Sequence, residues 1–181
     1  KQWVSKFGLQ NQIDMEAAYC LWQNICPKYM NLKTEAMVMS KYGMDRVWSW
    51  DNAINALALS KAHPEVAFNQ LIFPYLYMDE NGSVPDCVGL FNNVNLFVKP
   101  PIQCWIYKHM MRNNAYFAQK EQIKKIYPYM KKNTEWWINY RGMYPFYLHG
   151  NDSGADNATC FDEADMIATG ELSAMLSEQC D

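Results

Sequence analysis

Residues 51–72, which read DNAINALALSKAHPEVAFNQLI, decide the fold class of this chain. Asp51 is a residue type that caps helices, and we expect a helix from there to about Ala62. The apolar side of this helix would hold Ile54, Leu57 and Ala58. Pro64 suits the first turn of a second helix. The inward side of that helix would hold Val66, Phe68, Leu71 and Ile72. The stretch therefore predicts two consecutive helices joined by a short turn.

Helical spacing also occurs on the amino-terminal side of this pair. We expect a helix from Ile13 to Cys26, which Pro27 would stop. Its shared apolar face would consist of Ile13, Ala17, Cys20, Leu21 and Ile25. Residues 30–50 have no clean helical period and predict a loop.

Three more helices are expected towards the carboxyl end. One should follow the Pro100-Pro101 pair and run to about Arg112. This helix would carry Ile102, Trp105, Ile106 and His109. Another should run from about Gln119 to Tyr140, with a break near Pro128. The last should begin near Gly170, with Thr169 as its cap. Only residues 142–148 read as a short aromatic stretch that is compatible with an extended backbone. Because period-2 alternation is almost missing elsewhere, the sequence predicts an all-α protein.

The charge balance excludes several classes of protein. Sixteen Lys and Arg residues stand against 19 Asp and Glu residues, for a net charge of -3. A protein that binds nucleic acid usually carries a basic patch, and basic residues also bind anionic membranes. Because acidic residues outnumber basic ones here, we expect neither partner. The longest apolar run is far shorter than the roughly 20 residues of a membrane span, and the chain does not open with a signal-peptide pattern.

The cysteine and histidine residues do not form a metal-binding pattern. The chain has six Cys and three His, and the cysteines form no C-x-x-C pair. We therefore expect no metal site and no cofactor. A chain of this size does not need disulfides, so we expect reduced, mostly buried thiols and a cytoplasmic setting.

Aromatic residues are unusually frequent. Seven Trp, twelve Tyr and eight Phe make up 15% of the chain, and many of them stand beside Asp, Asn or Gly. Aromatic faces next to polar groups suit sugar rings, which offer C–H faces and hydroxyl edges. Composition alone favours a Trp-rich helical core equally well.

Residues 45–51, D-R-V-W-S-W-D, place a cation, two indoles and two carboxylates within seven positions. A carboxylate such as Asp51 can accept two sugar hydroxyls, and an adjacent indole can stack on the ring. The pattern is equally compatible with Asp51 as a helix cap and Arg46 as a surface partner of Asp45.

Residues 151–157, N-D-S-G-A-D-N, place Asp152 and Asp156 four positions apart around a glycine. Both carboxylates could project into one cavity, where desolvation would let one act as a general acid. By itself the pattern is also typical of a turn in which the carboxylates bond their own backbone. Ser153 lacks the G-x-S-x-G context of a nucleophile, and a triad with His149 is not supported.

Four motifs in order resemble glycoside hydrolase family 63 and the related trehalases. They are W-S-W-D at 48–51, N-G-S-V-P-D at 81–86, K-P-P-I-Q-x-W at 99–105 and H-G-N-D-S-G-x-D-N-A-T at 149–159. The resemblance extends from near Lys41 to the end of the chain. It implies an (α/α)6 toroid of helical hairpins with a sugar site at one end. It also implies an inverting enzyme that cleaves α-glucosidic or similar α-glycosidic bonds in oligosaccharides or small α-glucosides.

The resemblance also implies roles for individual residues. Asp156 matches the general acid. The residues expected to bind substrate are Arg46, Trp48, Trp50, Asp51, Lys99, Asp152 and Asn157. Relatives often carry Trp where this chain has Ala155, so one stacking wall can be missing.

An inverting hydrolase needs a second carboxylate, roughly 6.5–9.5 Å from the acid, as its general base. In the family this base is a Glu in the carboxyl-terminal half of the toroid, and the sequence predicts only about half of the helices. We therefore expect residues 1–181 to form a single partial domain, the amino-terminal half of the catalytic domain, inactive without the missing half. The alternatives are a non-catalytic carbohydrate-binding or structural helical module, and an epimerase or lyase that would use a His.

Overall fold

The computed structural model describes residues 2–8, 11–141, 145–164 and 166–181. These ranges contain helices α1 (Gln2–Ser5), α2 (Gln12–Gln23), α3 (Ser49–Leu59), α4 (Pro64–Ile72), α5 (Gln103–Asn113), α6 (Lys120–Asn139), α7 (Gly150–Ser153) and α8 (Gly170–Cys180). The first and seventh are four-residue turns, so six longer helices remain. The predicted all-α class is confirmed.

Within the described residues, seven strands of two residues each form small antiparallel ladders between the helices. They are β1 (Ile25–Cys26), β2 (Ala36–Met37), β3 (Val47–Trp48), β4 (Cys87–Val88), β5 (Asn93–Val94), β6 (Phe146–Tyr147) and β7 (Ile167–Ala168). β1 pairs with β2, β3–β4–β5 form one sheet, and β6 pairs with β7. Two residues are too few to show a period-2 pattern, so sequence alone could not reveal them.

The β3–β4–β5 sheet brings residues 86–88 to the amino end of α3. Trp48 pairs with Cys87 across β3 and β4. The backbone N–H of Ser49, the first residue of α3, donates to the Asp86 carbonyl at 3.1 Å. This link places Asp86 beside the first turn of α3, where Asp51 also lies.

The main core lies where α3 and α4 pack together and against α5 and α6. Its buried residues include Ala53, Ala56, Leu59, Ala67, Phe68, Leu71, Ile106, Met110, Ile126 and Met130. The small side chains on α3 and α4 let the two helices approach closely. The buried amide of Asn52 on α3 donates from Nδ2 to the Gln70 carbonyl of α4 at 2.9 Å and so links the two helices. The predicted helical pair over residues 51–72 is confirmed.

The details of α3 differ from the prediction. The helix begins at Ser49 after Trp48, so Asp51 lies in the first turn and is not the cap. The predicted apolar side was also wrong, because Ile54 is 48% exposed whereas Ala53 and Ala56 are buried. Close helix packing selects the alanines and leaves the larger side chain outside.

The predicted apolar face of α2 was wrong in part, because Leu21 packs against the core as predicted but other residues of that face do not. Ile13 is 78% exposed, Ala17 and Cys20 are exposed, and Ala18 is the buried residue of the helix. The helix ends at Gln23, and Ile25 belongs instead to β1. The pairing of β1 with β2 ends the helix before Pro27 is reached.

α6 is continuous, so the predicted break at Pro128 was wrong. A helix-interior proline removes the hydrogen bond to the carbonyl four residues earlier. Here Lys124 and Pro128 are both exposed, so water can solvate the freed carbonyl. Ile126 and Met130 anchor the helix in the core on either side of the proline.

Other predicted boundaries agree with the structure. Pro64 is the first residue of α4, and α5 follows the proline pair by beginning at Gln103. Thr169 occupies the N-cap position of α8, although its side chain makes no capping hydrogen bond. Within the aromatic stretch, Phe146 and Tyr147 form β6, and residues 142–144 lie outside the described residues.

All six cysteines are free. The expectation of mostly buried thiols was wrong, because only Cys87 is buried and Cys20, Cys160 and Cys180 are exposed. Their positions on helix surfaces and in a surface loop explain the exposure. Among the described residues, no helix has both the length and the apolar character needed to cross a membrane.

Candidate active site

Lys99 lies at the centre of a cluster of polar side chains. Its buried ammonium donates to Asn151 Oδ1 at 2.6 Å and lies 3.4 and 3.5 Å from the two carboxylate oxygens of Asp156. Asp86 Oδ1 is 3.6 Å away on another side. Asn151 also donates from Nδ2 to Asp86 Oδ1 at 2.8 Å. One cation and one amide therefore join two carboxylates that are far apart in sequence.

The backbone of Val98 fixes Lys99 against the loop that carries Asp156. Its N–H donates to Asp152 Oδ1 at 3.2 Å, and its carbonyl accepts from Asn151 Nδ2 at 3.2 Å. The prolines at 100 and 101 restrict the backbone that follows. This segment therefore presents Lys99 in one direction.

Residues 150–157 form the acid-bearing loop, which is named for the side chains of Asp152 and Asp156. It begins with the helical turn α7, where the sequence predicted a loop. His149 caps the turn, with its Nδ1 accepting from the Asn151 N–H at 3.0 Å. Gly154 ends the turn with a left-handed backbone, φ 73°. The reversal at Gly154 turns the following residues away from the turn and towards Lys99.

The side chains of Ser153 and His149 are occupied in building the loop. The Ser153 hydroxyl donates to the Gly150 carbonyl at 2.7 Å and accepts from the Ala155 N–H at 3.1 Å. His149 packs against Phe97, with ring centroids 4.2 Å apart. These contacts agree with the sequence argument against a serine nucleophile.

Asp156 is the cluster carboxylate that is open to solvent. Its side chain is 50% exposed, whereas that of Asp86 is 8% exposed. The next residue, Asn157, is also exposed. A ligand can therefore reach Asp156 while the charges that hold it stay covered.

Asp51 belongs to the same electrostatic environment. Burial raises the pKa of its carboxyl above the ordinary value, and the negative charges of Asp86 and Asp156 raise it further. Its own backbone N–H and the Lys99 cation act in the opposite direction. Lys99 therefore faces three carboxylates, contributed by α3, the segment before β4 and the acid-bearing loop.

Trp50 connects α3 with the acid-bearing loop. A methyl group added at Gly154 would lie 2.5 Å from the edge of the Trp50 indole, so the ring lies directly against this glycine. Trp50 and the neighbouring Asp51 also line an open groove of about 450 Å³. It is lined by Met39, Trp50, Asp51, Ile54, Asn55, Ile102 and Trp105. Two indoles and a carboxylate thus border a groove with room for a sugar ring.

Asp152 lies in the interior, away from the open side. It is fully buried, and Arg141 donates to its Oδ2 from Nε at 3.0 Å and from Nη2. Its other oxygen accepts from Val98. Both carboxylate oxygens are therefore bonded within the protein, which fits a role in holding the loop in place.

Arg46 and Trp48 have Gly89 and Cys87 as neighbours. Arg46 is half-buried beside Gly89, and its Nη1 has no hydrogen-bond partner among the described residues. Burial raises the pKa of Cys87 to about 11. The negative charge of Asp86 also raises this pKa, and the positive charge of Arg46 lowers it. Trp48 is half-buried on β3, opposite Cys87. The structure thus brings Asp156, Lys99, Asp51 and Trp50 together and places Arg46 beside Gly89 and Trp48 opposite Cys87.

Sequence reasoning did not single out Asp86, Asn151 or Arg141. Asp86 ends the N-G-S-V-P-D motif and Asn151 opens the N-D-S-G-A-D-N segment, so both stood within recognised patterns. Their contacts span about 50 to 65 positions, beyond what a local motif shows. Among the described residues, no group of three or more His, Cys, Asp and Glu side chains could hold a metal ion.

The arrangement can hold a polar ligand and supply an accessible carboxylate to it. The exposed carboxylate is fixed by a buried cation, and an aromatic groove lies next to the carboxylate of Asp51. Carboxylates bordered by aromatic faces suit a ligand that has both hydroxyl groups and apolar C–H faces.

Comparison with known proteins identifies related domains. Residues 44–179 match the family model described as the mannosylglycerate hydrolase MGH1-like glycoside hydrolase domain. The structure is similar to the crystal structure of GH63 mannosylglycerate hydrolase from Thermus thermophilus in complex with glucose. The TM-score is 0.65 and the sequence identity 18%, and the match covers 81% of this chain and 39% of that one. No curated protein sequence matches.

The structural likeness shows the fold. The helices form part of a helical toroid of the (α/α)6 type, as predicted. The chain spans well under half of the length of the solved structure that it matches.

Proposed function

Because this chain belongs to the family of MGH1-like glycoside hydrolase domains within glycoside hydrolase family 63, we propose that it supplies the general acid of an inverting α-glycosidase. Asp156 is the acid in this proposal. The substrates are oligosaccharides or small glycosides with α-glucosidic or similar α-glycosidic bonds.

The observation that carries the proposal is the half-exposed carboxylate of Asp156 at the edge of a buried charge cluster. Lys99 fixes its position, and a groove with two indoles adjoins the cluster through Asp51. A general acid has to reach the leaving oxygen in a defined geometry. A free surface carboxylate would lack this orientation.

In this mechanism Asp156 protonates the oxygen of the departing group as the glycosidic bond breaks. Asp51 accepts hydroxyl groups of the sugar that is cleaved, and Trp50 offers its ring face. Arg46, Trp48, Lys99 and Asn157 complete the binding surface, and Asp152 supports it from the interior. Water attacks from the opposite side of the sugar, activated by a base roughly 6.5–9.5 Å from the acid. The reaction requires no metal or organic cofactor.

We propose that the base is a Glu from the remainder of the toroid, supplied by sequence outside residues 1–181 or by another chain. Two observations support this. The matched structure is more than twice as long as the region it shares with this chain. Large apolar side chains that do not line the aromatic groove are exposed on several helices, namely Ile13, Trp22, Ile123, Tyr127 and Ile138. Exposed apolar surface of this kind is typical of an interface. Residues 1–181 are then one partial domain, inactive when isolated.

The test compares Asp156→Asn with the unchanged full-length protein on two kinds of substrate. Suitable substrates are an α-glucoside with a sugar leaving group and one with a dinitrophenolate leaving group. Mannosylglycerate is a second candidate, because the matched structure is a mannosylglycerate hydrolase. We expect kcat for the sugar leaving group to fall about 10²–10⁴-fold, the usual contribution of a general acid. The dinitrophenyl substrate should lose much less, because its leaving group needs little protonation.

Asp162→Asn is the matched control, since Asp162 is an exposed aspartate on the same segment. It should retain normal rates on both substrates. Nuclear magnetic resonance of the first product should show the β-anomer, as inversion requires. Full activity of Asp156→Asn, or an α-anomer as first product, would contradict the proposal.

A non-catalytic carbohydrate-binding module is the second candidate. The ion pair between Asp156 and Lys99 favours it, because an ion-paired carboxylate can anchor a hydroxyl group without giving up a proton. Oligosaccharide binding by the full-length protein without release of any product would support this candidate against the first.

A further inference from the structure

Asp86 is a buried carboxylate that the proposed mechanism does not use. Its backbone is fixed at both ends, since its N–H donates to the Val94 carbonyl at 2.9 Å and its carbonyl accepts from Ser49 at 3.1 Å. Its side chain accepts from Asn151 at 2.8 Å and lies 3.6 Å from the Lys99 ammonium. Because the side chain is so well covered, it contacts protein groups and leaves the ligand surface to others.

Lys99 needs such a partner. A lysine side chain is flexible, and ordering it costs rotamer entropy. A buried ammonium without compensation is also strongly unfavourable. Asp86 compensates the charge from the interior, and Asn151 bonds to the ammonium with Oδ1 and to Asp86 with Nδ2. Each of these three side chains therefore contacts the other two, and the Lys99 ammonium also lies next to Asp156.

We propose that Asp86 is a positioning residue that sets the location of the Asp156 carboxylate through Asn151 and Lys99. The inference rests on the proposed role of Asp156 as the general acid. Without the Asp86 charge, Lys99 has Asp156 and Asp51 as its charged neighbours, and it moves towards them. The Asp156 carboxylate is then drawn away from the leaving oxygen. A displacement of about 1 Å at a reacting group can cost on the order of 10²-fold in rate.

The test is Asp86→Asn in the full-length protein, assayed on the same two α-glucosides. The variant keeps the shape of the side chain and removes its charge. We expect kcat for the sugar leaving group to fall about 10–100-fold, with a KM change of less than about threefold. The loss for the dinitrophenyl leaving group should be at least about tenfold smaller, because that reaction depends less on the acid.

A control separates positioning from general support of the fold. Asp79 is another structural aspartate, whose Oδ1 accepts from the backbone N–H groups of Asn81, Gly82 and Ser83. Asp79→Asn should lower stability and leave the ratio of the two rates unchanged. If Asp86→Asn lowers both rates equally, as a structural defect would, the inference is overturned.

Asn151→Ser provides a second route if Asp86→Asn does not fold. It removes the bridge and leaves both charges in place, so it should produce the same dependence on the leaving group. An unchanged rate ratio in this variant would likewise overturn the inference. Asp156→Asn on the same substrates distinguishes the two proposals. If Asp156→Asn shows the leaving-group dependence and neither positioning variant does, only the role of Asp86 fails. If Asp156→Asn also lacks it, the proposed function fails.

Discussion

Replacement of Gly154 by alanine tests the contact that joins α3 to the acid-bearing loop. Gly154 has a left-handed backbone with φ 73°. An added Cβ would lie 2.5 Å from Cη2 of Trp50 and 2.9 Å from its Cζ2 and Cζ3. Gly43 has a similar φ of 79° with nothing within 4 Å of an added Cβ. The two glycines therefore differ in steric contact and share the backbone conformation.

The expected loss of stability has two causes, the left-handed backbone and the steric contact with Trp50. A left-handed conformation costs an alanine about 1–2 kcal/mol. Forcing a methyl group against the indole adds about 1–3 kcal/mol, the usual cost of overpacking. Gly154→Ala should therefore lower the free energy of unfolding by about 2–5 kcal/mol, and Gly43→Ala by about 1–2 kcal/mol. Urea unfolding of both variants of the full-length protein measures the difference.

A double variant isolates the contact. The atoms that the new methyl group would meet belong to the outer edge of the indole, which a phenylalanine lacks. In a Trp50→Phe background, Gly154→Ala should cost only the conformational term of about 1–2 kcal/mol. Equal losses for Gly154→Ala and Gly43→Ala in the unchanged background would refute the close packing of Trp50 on Gly154. An undiminished loss in the Trp50→Phe background would refute it independently.

Two further predictions concern titrating groups. Burial raises the pKa of Asp51 above its ordinary value of 3.8. Between pH 3.8 and the raised pKa, the folded state therefore keeps a proton that the unfolded state has lost. Stability falls as the pH rises through this range. Asp51→Asn should therefore raise the free energy of unfolding at neutral pH and have little effect on it below pH 3.8. A lower free energy of unfolding for this variant at neutral pH would contradict the prediction. Burial also raises the pKa of Cys87 to about 11 and that of Cys104 to about 12, whereas Cys20, Cys160 and Cys180 are exposed. Mass spectrometry after brief treatment with iodoacetamide should find the exposed three modified and Cys87 and Cys104 protected until urea is added; early labelling of Cys87 would count against its burial.

The sequence predicted the helices because their signals are local. The proline at position 64 and the threonine at 169 mark helix starts within a few residues of the helix itself. The buried faces were harder to predict, as Ile54 shows. Which side of a helix is covered depends on neighbours distant in sequence, and close packing on α4 favoured the alanines of α3.

The candidate site was predicted in part for the same reason. Asp156 and Lys99 stood in recognisable motifs, and the structure brings them together. Asp152 and Asp156 looked equivalent by spacing, but the helical turn directs Asp152 to Arg141, and the reversal at Gly154 directs Asp156 outward. The role of Asp86 depends on Asn151, which is 65 positions away, and no local pattern encodes that distance.

The attachment of Val98 to the acid-bearing loop has a consequence for how the site is lost. Both backbone groups of Val98 are bonded to side chains of two consecutive loop residues, Asn151 and Asp152. Neither segment can open without breaking bonds to the other, so they behave as one cooperative unit in local unfolding. Hydrogen exchange at the Val98 amide then reports the same opening that separates Lys99 from Asp156. The contacts that hold Asp156 beside Lys99 are therefore present or absent as a whole, and they can be lost before the surrounding helices melt.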